Sequence, residues 1–336
     1  YSYGLSMYGN MPLIEPQEWK EVKKVEDFAI VIDTSMSCSG DLVKKFLEEK
    51  IGFLDIYEII AQSMERHKKI EHPDLDEILS CCEVGLQRGI TNYLIQGGED
   101  LWYTTERITE MIRGMKKLSK DITIFLSLGE KSRAVYQTWK QAGAEGYLLC
   151  YQTSDDRFYH KLHPNKMSLL RKKQCLWELK ELGYLVGTGF MIGTPYQRIT
   201  DLADEFAFLR QLAPDMMMVE TFLASDGTPF EKERNGVLDL TYFVMALLRL
   251  SFPKLYMPVA QTVEFFDRDG MRQGVRAGAD IVSVDLTPEQ WRKQYHCYPR
   301  AVRRGKIGLE NMGDFRRSLQ EADYEIAGIH EHICRR

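Results

Sequence analysis

The sequence lacks an apolar run long enough to cross a membrane, because its longest apolar runs are only the length of a strand. It also lacks a strong excess of charge of either sign: 44 Lys and Arg oppose 49 Asp and Glu, which gives a formal net charge of -5. A basic stretch followed by an apolar run, typical of a signal peptide, is missing from the first residues. We therefore expect neither a nucleic-acid partner nor a membrane association.

Cysteine is scarce and irregularly spaced. The seven cysteines are an odd number, which argues against a secreted disulfide framework and favours the reducing cytoplasm as the compartment. One pair, Cys81 and Cys82, is adjacent within a segment of helical periodicity. Cys82 falls on the apolar face of that helix and Cys81 at its edge, so we expect this pair to serve the core rather than a metal.

A unit of helix, glycine turn and strand repeats along the chain from about residue 75. Its clearest copies, which predict left-handed glycines at helix ends, are GLQRGITNYLIQGG (85–98), WKQAGAEGYLLCYQ (139–152), LKELGYLVGTGFMIG (179–193) and VRAGADIVSVDL (275–286). Further strands are predicted at ITIFLSLG (122–129), DMMMVETFL (215–223), LYMPVAQT (255–262) and FAIVID (28–33). Parallel strands separated by helices predict an α/β fold, a (β/α) TIM-type barrel.

Small or polar side chains follow nearly every predicted strand. In a barrel the carboxyl ends of the strands meet at one mouth, where ligands bind. We therefore predict a binding site there, and we place Thr221, Gln261 and Thr262 in its substrate pocket. The alternative is that strand ends turn polar simply because they meet water.

The strand ends and their flanks resemble radical S-adenosylmethionine (SAM) enzymes. The resemblance covers about residues 75 to 300. Within the superfamily, this part of the chain is most similar to the group of the iron-iron hydrogenase maturase, methylornithine synthase and biotin synthase. The segments that carry it are YLIQGGEDLWYT, IFLSLGE, YLLCYQTSDDRFYHKLHP, CLWELKELGYLVGTGFMIGTPYQ, PDMMMVETFLASDGTPF and LLRLSFPKLYMPVAQTVEFFDRDGMRQGVRAGADIV.

The resemblance implies two cofactors, SAM and a 4Fe-4S cluster held by a C-x3-C-x2-C loop, together with a small-molecule substrate and a redox donor. It implies SAM contacts at the following positions: Gly97, Gly98 and Glu99 at the methionine amino group, Ser127 on the third strand of the family, Gln152, Lys172 at the carboxylate, and Met191 near the adenine. Gln152 stands where relatives carry Glu, and Lys172 lies near the place of an Arg. Both departures predict weaker SAM binding, because Gln carries no charge and Lys lacks the bidentate fork of Arg.

The cluster motif itself is missing, since no C-x3-C-x2-C occurs anywhere in the sequence. No cluster ligands are therefore identified. We expect a radical-SAM-type enzyme by family whose activity is in doubt. The alternatives are a non-catalytic barrel that keeps the fold, and a metal-binding interaction module at the amino-terminal side.

The stretch IVIDTSMSCSG stands where the first strand and the cluster loop of the family are expected. Its D-x-S-x-S pattern resembles the metal-adhesion loop of von Willebrand factor A (VWA)-like domains, which implies Mg2+ ligation by Asp33, Ser35 and Ser37. The alternative is that these hydroxyls cap the following helix. We expect four parts: a VWA-like fragment at 1–50 that supplies the first strand, a helical connector at 51–74, the barrel at 75–300 and a helical tail at 301–336.

Overall fold

A computed structural model describes residues 72–97, 102–164, 167–225, 228–267 and 269–292, together with residues 313, 317, 319, 320 and 324. The described residues from Pro73 onward belong to one compact unit. Helices and strands alternate along it. In chain order they are α1 (Leu75–Gln87), β1 (Asn92–Gln96), α2 (Thr105–Leu118), β2 (Thr123–Ser127), α3 (Arg133–Ala142), β3 (Gly146–Leu148), α4 (Asp156–Leu162), α5 (Leu169–Glu181), β4 (Leu185–Ile192), α6 (Ile199–Leu212), β5 (Met216–Thr221), α7 (Leu238–Ser251), α8 (Val263–Phe266), α9 (Gly270–Arg276) and α10 (Glu289–Arg292).

The five strands form one parallel sheet in the order β1-β2-β3-β4-β5. Its register pairs Asn92 with Thr123 across β1 and β2, and Gly187 with Met216 across β4 and β5. Neighbouring parallel strands need a crossover connection, and the helices supply it. The sheet is curled into half of a barrel, so the predicted α/β fold of the TIM-barrel type is confirmed.

The segment predicted as a strand at 255–262 continues the sheet only through single bridges. Tyr256 pairs with Met216, Val259 pairs with Val219, and Pro258 pairs with Ile281. Proline has no N–H to donate, so Pro258 interrupts the ladder of hydrogen bonds. The prediction of a continuous strand is therefore wrong here, although the direction and neighbours are those of a barrel. The strand predicted at 28–33 lies outside the described residues.

Glycine ends the four helices where the sequence predicted it. The residues that follow α1, α3, α5 and α9 have positive φ angles of 78° at Gly89, 121° at Gly143, 76° at Gly183 and 111° at Gly278. A side chain in this left-handed region is strained, whereas glycine is not. After α1, α3 and α5 these turns let the next strand begin within a few residues. The strand predicted after Gly278, within 275–286, is not formed, since Ile281 makes only a single bridge to Pro258.

The sheet carries one core on its helix side and a smaller one on its inner side. Tyr147 of β3 lies on the helix side, where its ring meets Tyr136 edge-on at 5.0 Å and stacks at 6.4 Å on Trp139. The inner side holds Leu148, Met218 and Ala260, with Cys150 packed against them. In α1, Cys82 is buried and Cys81 half-buried, which confirms the predicted core role of Cys82. Among the described residues, no helix combines the length and the apolar character needed to cross a bilayer.

Gly189 lies where β4 approaches β5 too closely for any side chain. A Cβ there would lie 2.6 Å from the carbonyl oxygen of Met218 and 2.8 Å from Sγ of Cys150. We expect Gly189→Ala to lower the free energy of unfolding, measured by urea titration, by about 1–3 kcal/mol. Gly183→Ala is the matched control, because its Cβ meets nothing within 4 Å and only its φ of 76° is unfavourable. We expect about 1 kcal/mol for this control, and an equal loss in both variants would contradict the predicted clash.

Candidate ligand site at the carboxyl ends of the strands

The ends of β1 and β2 are tied together by a backbone hydrogen bond. Gly97, which follows β1, donates its N–H to the carbonyl oxygen of Ser127 at 3.0 Å. Gly97 is buried. The structure thus brings two of the predicted SAM contacts side by side. Their predicted neighbours Gly98 and Glu99 lie outside the described residues.

A tight turn after β3 places Gln152 beside Met191. The N–H groups of Tyr151 and Gln152 both donate to the carbonyl oxygen of Gly189, at 2.9 and 3.1 Å, and Met191 N–H donates to Gln152 O at 3.1 Å. Gln152 takes a φ of 62° to make this turn, a region that residues other than glycine rarely occupy. Two further predicted SAM contacts are therefore neighbours, at a position of local backbone strain.

The side chain of Gln152 is engaged with its own turn. Its amide nitrogen, assigned from the surrounding hydrogen bonds, donates to the carbonyl oxygens of Tyr151 at 3.1 Å and Cys150 at 3.2 Å. The amide oxygen is then the atom of this side chain that can accept a hydrogen bond from a ligand. If Glu replaced Gln152 in the same rotamer, a carboxylate oxygen would face the carbonyl oxygens of Tyr151 and Cys150, and none of these three atoms can donate a hydrogen bond.

A cleft of about 430 Å³ adjoins the end of β4. Gln197 fixes the strand end, because its side chain accepts from Gly193 N–H at 2.6 Å and donates to the carbonyl oxygen of Met191 at 2.7 Å. Gly193 approaches the next loop so closely that a Cβ would lie 2.5 Å from Cα of Gly236. The cleft is lined by Gly193, Pro195, Lys232, Glu233, Arg234, Asn235, Gly236, Val237 and Leu240.

Lys172 is a buried cation beside the site. It lies in the first part of α5, its side chain is 8% exposed, and its Nζ lies 3.4 Å from Oε1 of Glu130, in the loop after β2. A charge this deep is tolerated because it has an opposite partner. His163, whose pKa burial lowers to about 4, is neutral at pH 7 and adds no positive charge beside Lys172. A ligand carboxylate at Lys172 would therefore share the ammonium with Glu130.

Cys150 and Glu220 lie on the inner face of the sheet. Burial raises the pKa of the Cys150 thiol, the carboxylate of Glu220 raises it further, and the Lys172 ammonium opposes both. Cys150 is therefore a protonated, unreactive thiol at neutral pH. Burial is likewise the largest cause of the raised pKa of Cys81, Cys175 and Cys82, the last reaching about 12.

The residues that the structure describes do not fit a 4Fe-4S cluster. Such a cluster needs thiolates that converge on one point, whereas the four cysteines of the described ranges are spread over α1 (Cys81, Cys82), the inner face of the sheet (Cys150) and α5 (Cys175). Within those ranges no three Cys, His, Asp or Glu side chains gather as metal ligands. Cys38, Cys297 and Cys334 lie outside the described residues.

The three residues predicted for the substrate pocket differ in their surroundings. Thr221 is buried, and its hydroxyl lies 2.8 Å from that of Thr241 on α7, so it faces the helices rather than the inner side of the sheet. The side-chain oxygens of Gln261 and Thr262 are buried and have no hydrogen-bond partner among the described residues. Buried polar atoms normally have a partner, so these two are candidates for ligand contacts.

Three carboxylates near the site were not among the predicted contacts: Glu130, Glu205 and Glu220. Glu220 interrupts the apolar run of β5, and Glu205 falls on the apolar face of α6 with Leu202, Leu209 and Leu212. A carboxylate at a buried position of an otherwise apolar pattern was the signal available in the sequence.

Comparison with known proteins identifies the relatives of the chain. No family model matches. The chain is 34% identical over 227 residues to the [FeFe] hydrogenase maturase subunit HydE of Thermotoga maritima, which covers 68% of this chain and 64% of that protein. It is 28% identical over 261 residues to 3-methylornithine synthase of Methanosarcina acetivorans, covering 76% of this chain and 67% of the relative. The chain thus spans about two thirds of the curated relatives it matches.

A solved structure supports the same assignment of fold. Methylornithine synthase (PylB) aligns with a TM-score of 0.68 and 24% identity, over 78% of this chain and 76% of that protein. The comparisons give no support to the VWA-like fragment, and its predicted Mg2+ ligands Asp33, Ser35 and Ser37 lie outside the described residues. The chain is similar in sequence to the hydrogenase maturase subunit HydE and to 3-methylornithine synthase, and it shares the parallel α/β fold of methylornithine synthase.

Proposed function

We propose that the carboxyl ends of the strands bind SAM, weakly, beside a small-molecule substrate pocket, and that this chain does not cleave SAM reductively. The observation that carries the proposal is the placement of Gln152 directly against Met191, at one end of the parallel sheet. The similarity to the hydrogenase maturase and to methylornithine synthase supports the choice of ligand. The unpartnered oxygens of Gln261 and Thr262 support a polar ligand in the adjoining pocket.

The residues divide between the parts of SAM. Gly97, with Gly98 and Glu99, holds the methionine amino group, and Lys172 faces the carboxylate. Met191 borders the adenine, and the amide oxygen of Gln152 accepts a hydrogen bond from the ligand. SAM supplies a sulfonium centre and, in the superfamily, the source of a radical. The radical chemistry needs a cluster and a redox donor, and the described residues do not fit that cluster.

SAM binding is expected in the high micromolar range or weaker. Gln152 offers no charge and Lys172 is already paired with Glu130 at 3.4 Å, so two charge-assisted contacts are weakened. Each such contact is worth about 1.5–3 kcal/mol, roughly one to two powers of ten in affinity. Calorimetric titration of the purified chain with SAM measures this directly. Binding in the low micromolar range would contradict the assigned contacts.

We infer that the chain is a non-catalytic barrel, because the described cysteines do not gather into a set of cluster ligands. The chain would then keep the ligand pocket of its relatives and not their chemistry. Thr221 takes part through its hydrogen bond to Thr241, which holds the end of β5 against α7. The proposal also includes a small-molecule substrate in the pocket and a redox donor as partner. It places the limits of the barrel at about residues 75 and 300.

A further inference from the structure

A buried carboxylate lies directly behind the Gln152 turn. Glu205 of α6 is 1% exposed, and its Oε1 accepts hydrogen bonds from the Thr153 hydroxyl at 3.0 Å and from the Ser154 N–H at 2.8 Å. These two residues follow Gln152 immediately. The carboxylate therefore holds the end of the turn that contains Gln152, the strained residue of the proposed ligand site.

The groups that face Glu205 come from every element packed around it. The hydroxyls of Tyr151 and Ser154 lie close to the carboxylate without well-aligned hydrogen bonds, and Oε2 has no aligned partner among the described residues. Glu205 acts on the ammonium of Lys173 of α5, whose Nζ donates to Ser154 O at 2.8 Å and lies 4.7 Å from the Phe208 ring centre. Asp155 and Asp156 act on the same ammonium.

Within the part of the chain that the structure describes, no cation forms an ion pair with the Glu205 carboxylate. Lys173 acts on Glu205 at a distance, and its hydrogen bond goes to a backbone carbonyl. Burial raises the pKa of Glu205 to about 7, and the hydrogen bonds from the Ser154 N–H and Thr153, with the nearby hydroxyl of Tyr151, only partly oppose this. The carboxyl therefore changes its charge near neutral pH.

We propose that Glu205 is a positioning residue: its ionised carboxylate holds the Gln152 turn in the conformation that binds ligand, and protonation loosens that turn. An ionised acceptor makes stronger hydrogen bonds than a neutral one, so two bonds to the turn tighten together when the proton leaves. In the loosened turn the Glu205 carboxyl stays buried but loses these bonds, which lower its pKa, so the loosened turn binds the proton more tightly than the held turn does. Global unfolding differs, because it removes the burial as well. The expected pH dependence of SAM affinity rests on the proposed SAM site. The expected effect of protonation on the turn does not.

The ligand measurement follows SAM affinity by calorimetry from about pH 6 to about pH 8, on either side of the Glu205 pKa of about 7. We expect wild type to bind about tenfold more tightly at the upper end, after subtraction of the pH dependence shown by Glu205→Gln. The amide in Glu205→Gln keeps an oxygen for Thr153 and Ser154 but cannot ionise. The matched control is Asp201→Asn, which removes a buried carboxylate of the same helix that pairs with Arg198 at 2.7 Å. Equal pH slopes in wild type and Glu205→Gln would overturn the inference.

The second measurement needs no ligand. Hydrogen exchange at the Ser154 amide, corrected for the intrinsic effect of pH, reports whether the turn is held. We expect protection in wild type to rise about tenfold across the same range, and to stay flat in Glu205→Gln. A flat profile in wild type would refute the role of Glu205 whether or not SAM binds. If wild type binds no SAM while this profile rises, the proposed ligand fails and the positioning role stands.

Folding stability gives the sign of the titration. The folded chain holds the Glu205 proton more tightly than the unfolded chain, because the pKa rises from 4.5 to about 7. This group therefore favours folding most at low pH, and its contribution is lost as pH rises through 7. Relative to Glu205→Gln, the free energy of unfolding of wild type in urea should fall as the pH rises from 4.5 to about 7. A parallel stability profile in both proteins would show that Glu205 does not titrate there.

Discussion

Reductive cleavage of SAM by this chain is expected to stay at the level of a control without protein. The reaction needs an electron from a 4Fe-4S cluster, and such a cluster needs convergent thiolates. The described cysteines are a protonated pair in α1, one thiol on the inner face of the sheet and one in α5. The measurement is 5′-deoxyadenosine formed after anaerobic reconstitution with iron and sulfide and reduction with dithionite.

The visible spectrum of the reconstituted protein provides the independent control. We expect no broad charge-transfer band and no stable iron after desalting. About four irons per chain with such a band would show that cysteines distant in sequence assemble a cluster. In that case product above the control would restore the full activity of the superfamily to this chain. Iron binding without product would leave the chain with a cluster that does not reduce SAM.

Gln152→Glu is expected to tighten SAM binding by about tenfold or more, because a carboxylate adds a charge-assisted hydrogen bond. The same change should weaken the fold. The amide of Gln152 donates to the carbonyl oxygens of Cys150 and Tyr151, and a carboxylate cannot donate. The new side chain must therefore turn outward, toward the ligand, at a cost of about 1–3 kcal/mol in unfolding free energy.

Calorimetry and urea titration of the same preparations test both halves of that expectation. Gln197→Glu is the matched control, because it also removes an amide donor, to Met191 O at 2.7 Å. This control should lose stability without gaining affinity. Unchanged SAM affinity in Gln152→Glu would mean that Gln152 does not occupy the position where relatives carry Glu. A gain in both variants would point to a general effect of negative charge on a cationic ligand.

The sequence predicted the features of this fold that depend on local pattern. Glycine ends four of the helices in a left-handed turn, so Gly89, Gly143, Gly183 and Gly278 were readable from their spacing, whereas Ala213 makes the left-handed turn after α6 with a φ of 46°. Periodicity alone placed Cys82 in the core and Cys81 at its edge. The predicted strands are short apolar runs, of which β1, β3 and β4 follow these turns, and the sheet pairs five of them in chain order.

Features that depend on contacts distant in sequence were not readable. Thr221 falls at a strand end, but the alternation of the pleat points its hydroxyl to α7, one residue away from the inward-facing Glu220. The partner of Lys172 lies in the loop after β2, and the partner of Thr153 lies on α6. Which residues meet across the sheet is fixed by crossover geometry, and the sequence does not display it.

The order of the sheet also bears on how the chain acquires its structure. Each strand pairs with the strand that precedes it in the chain, so no described strand waits for a partner synthesised much later. One helix separates the strands of each pair, except that two helices, α4 and α5, separate β3 from β4, so the chain segment to be closed is short. A ribosome-bound chain can therefore add strands one at a time, with each exposed edge covered by the next. The growing edge is the point at which a stalled chain would aggregate, and it moves steadily from β1 toward β5.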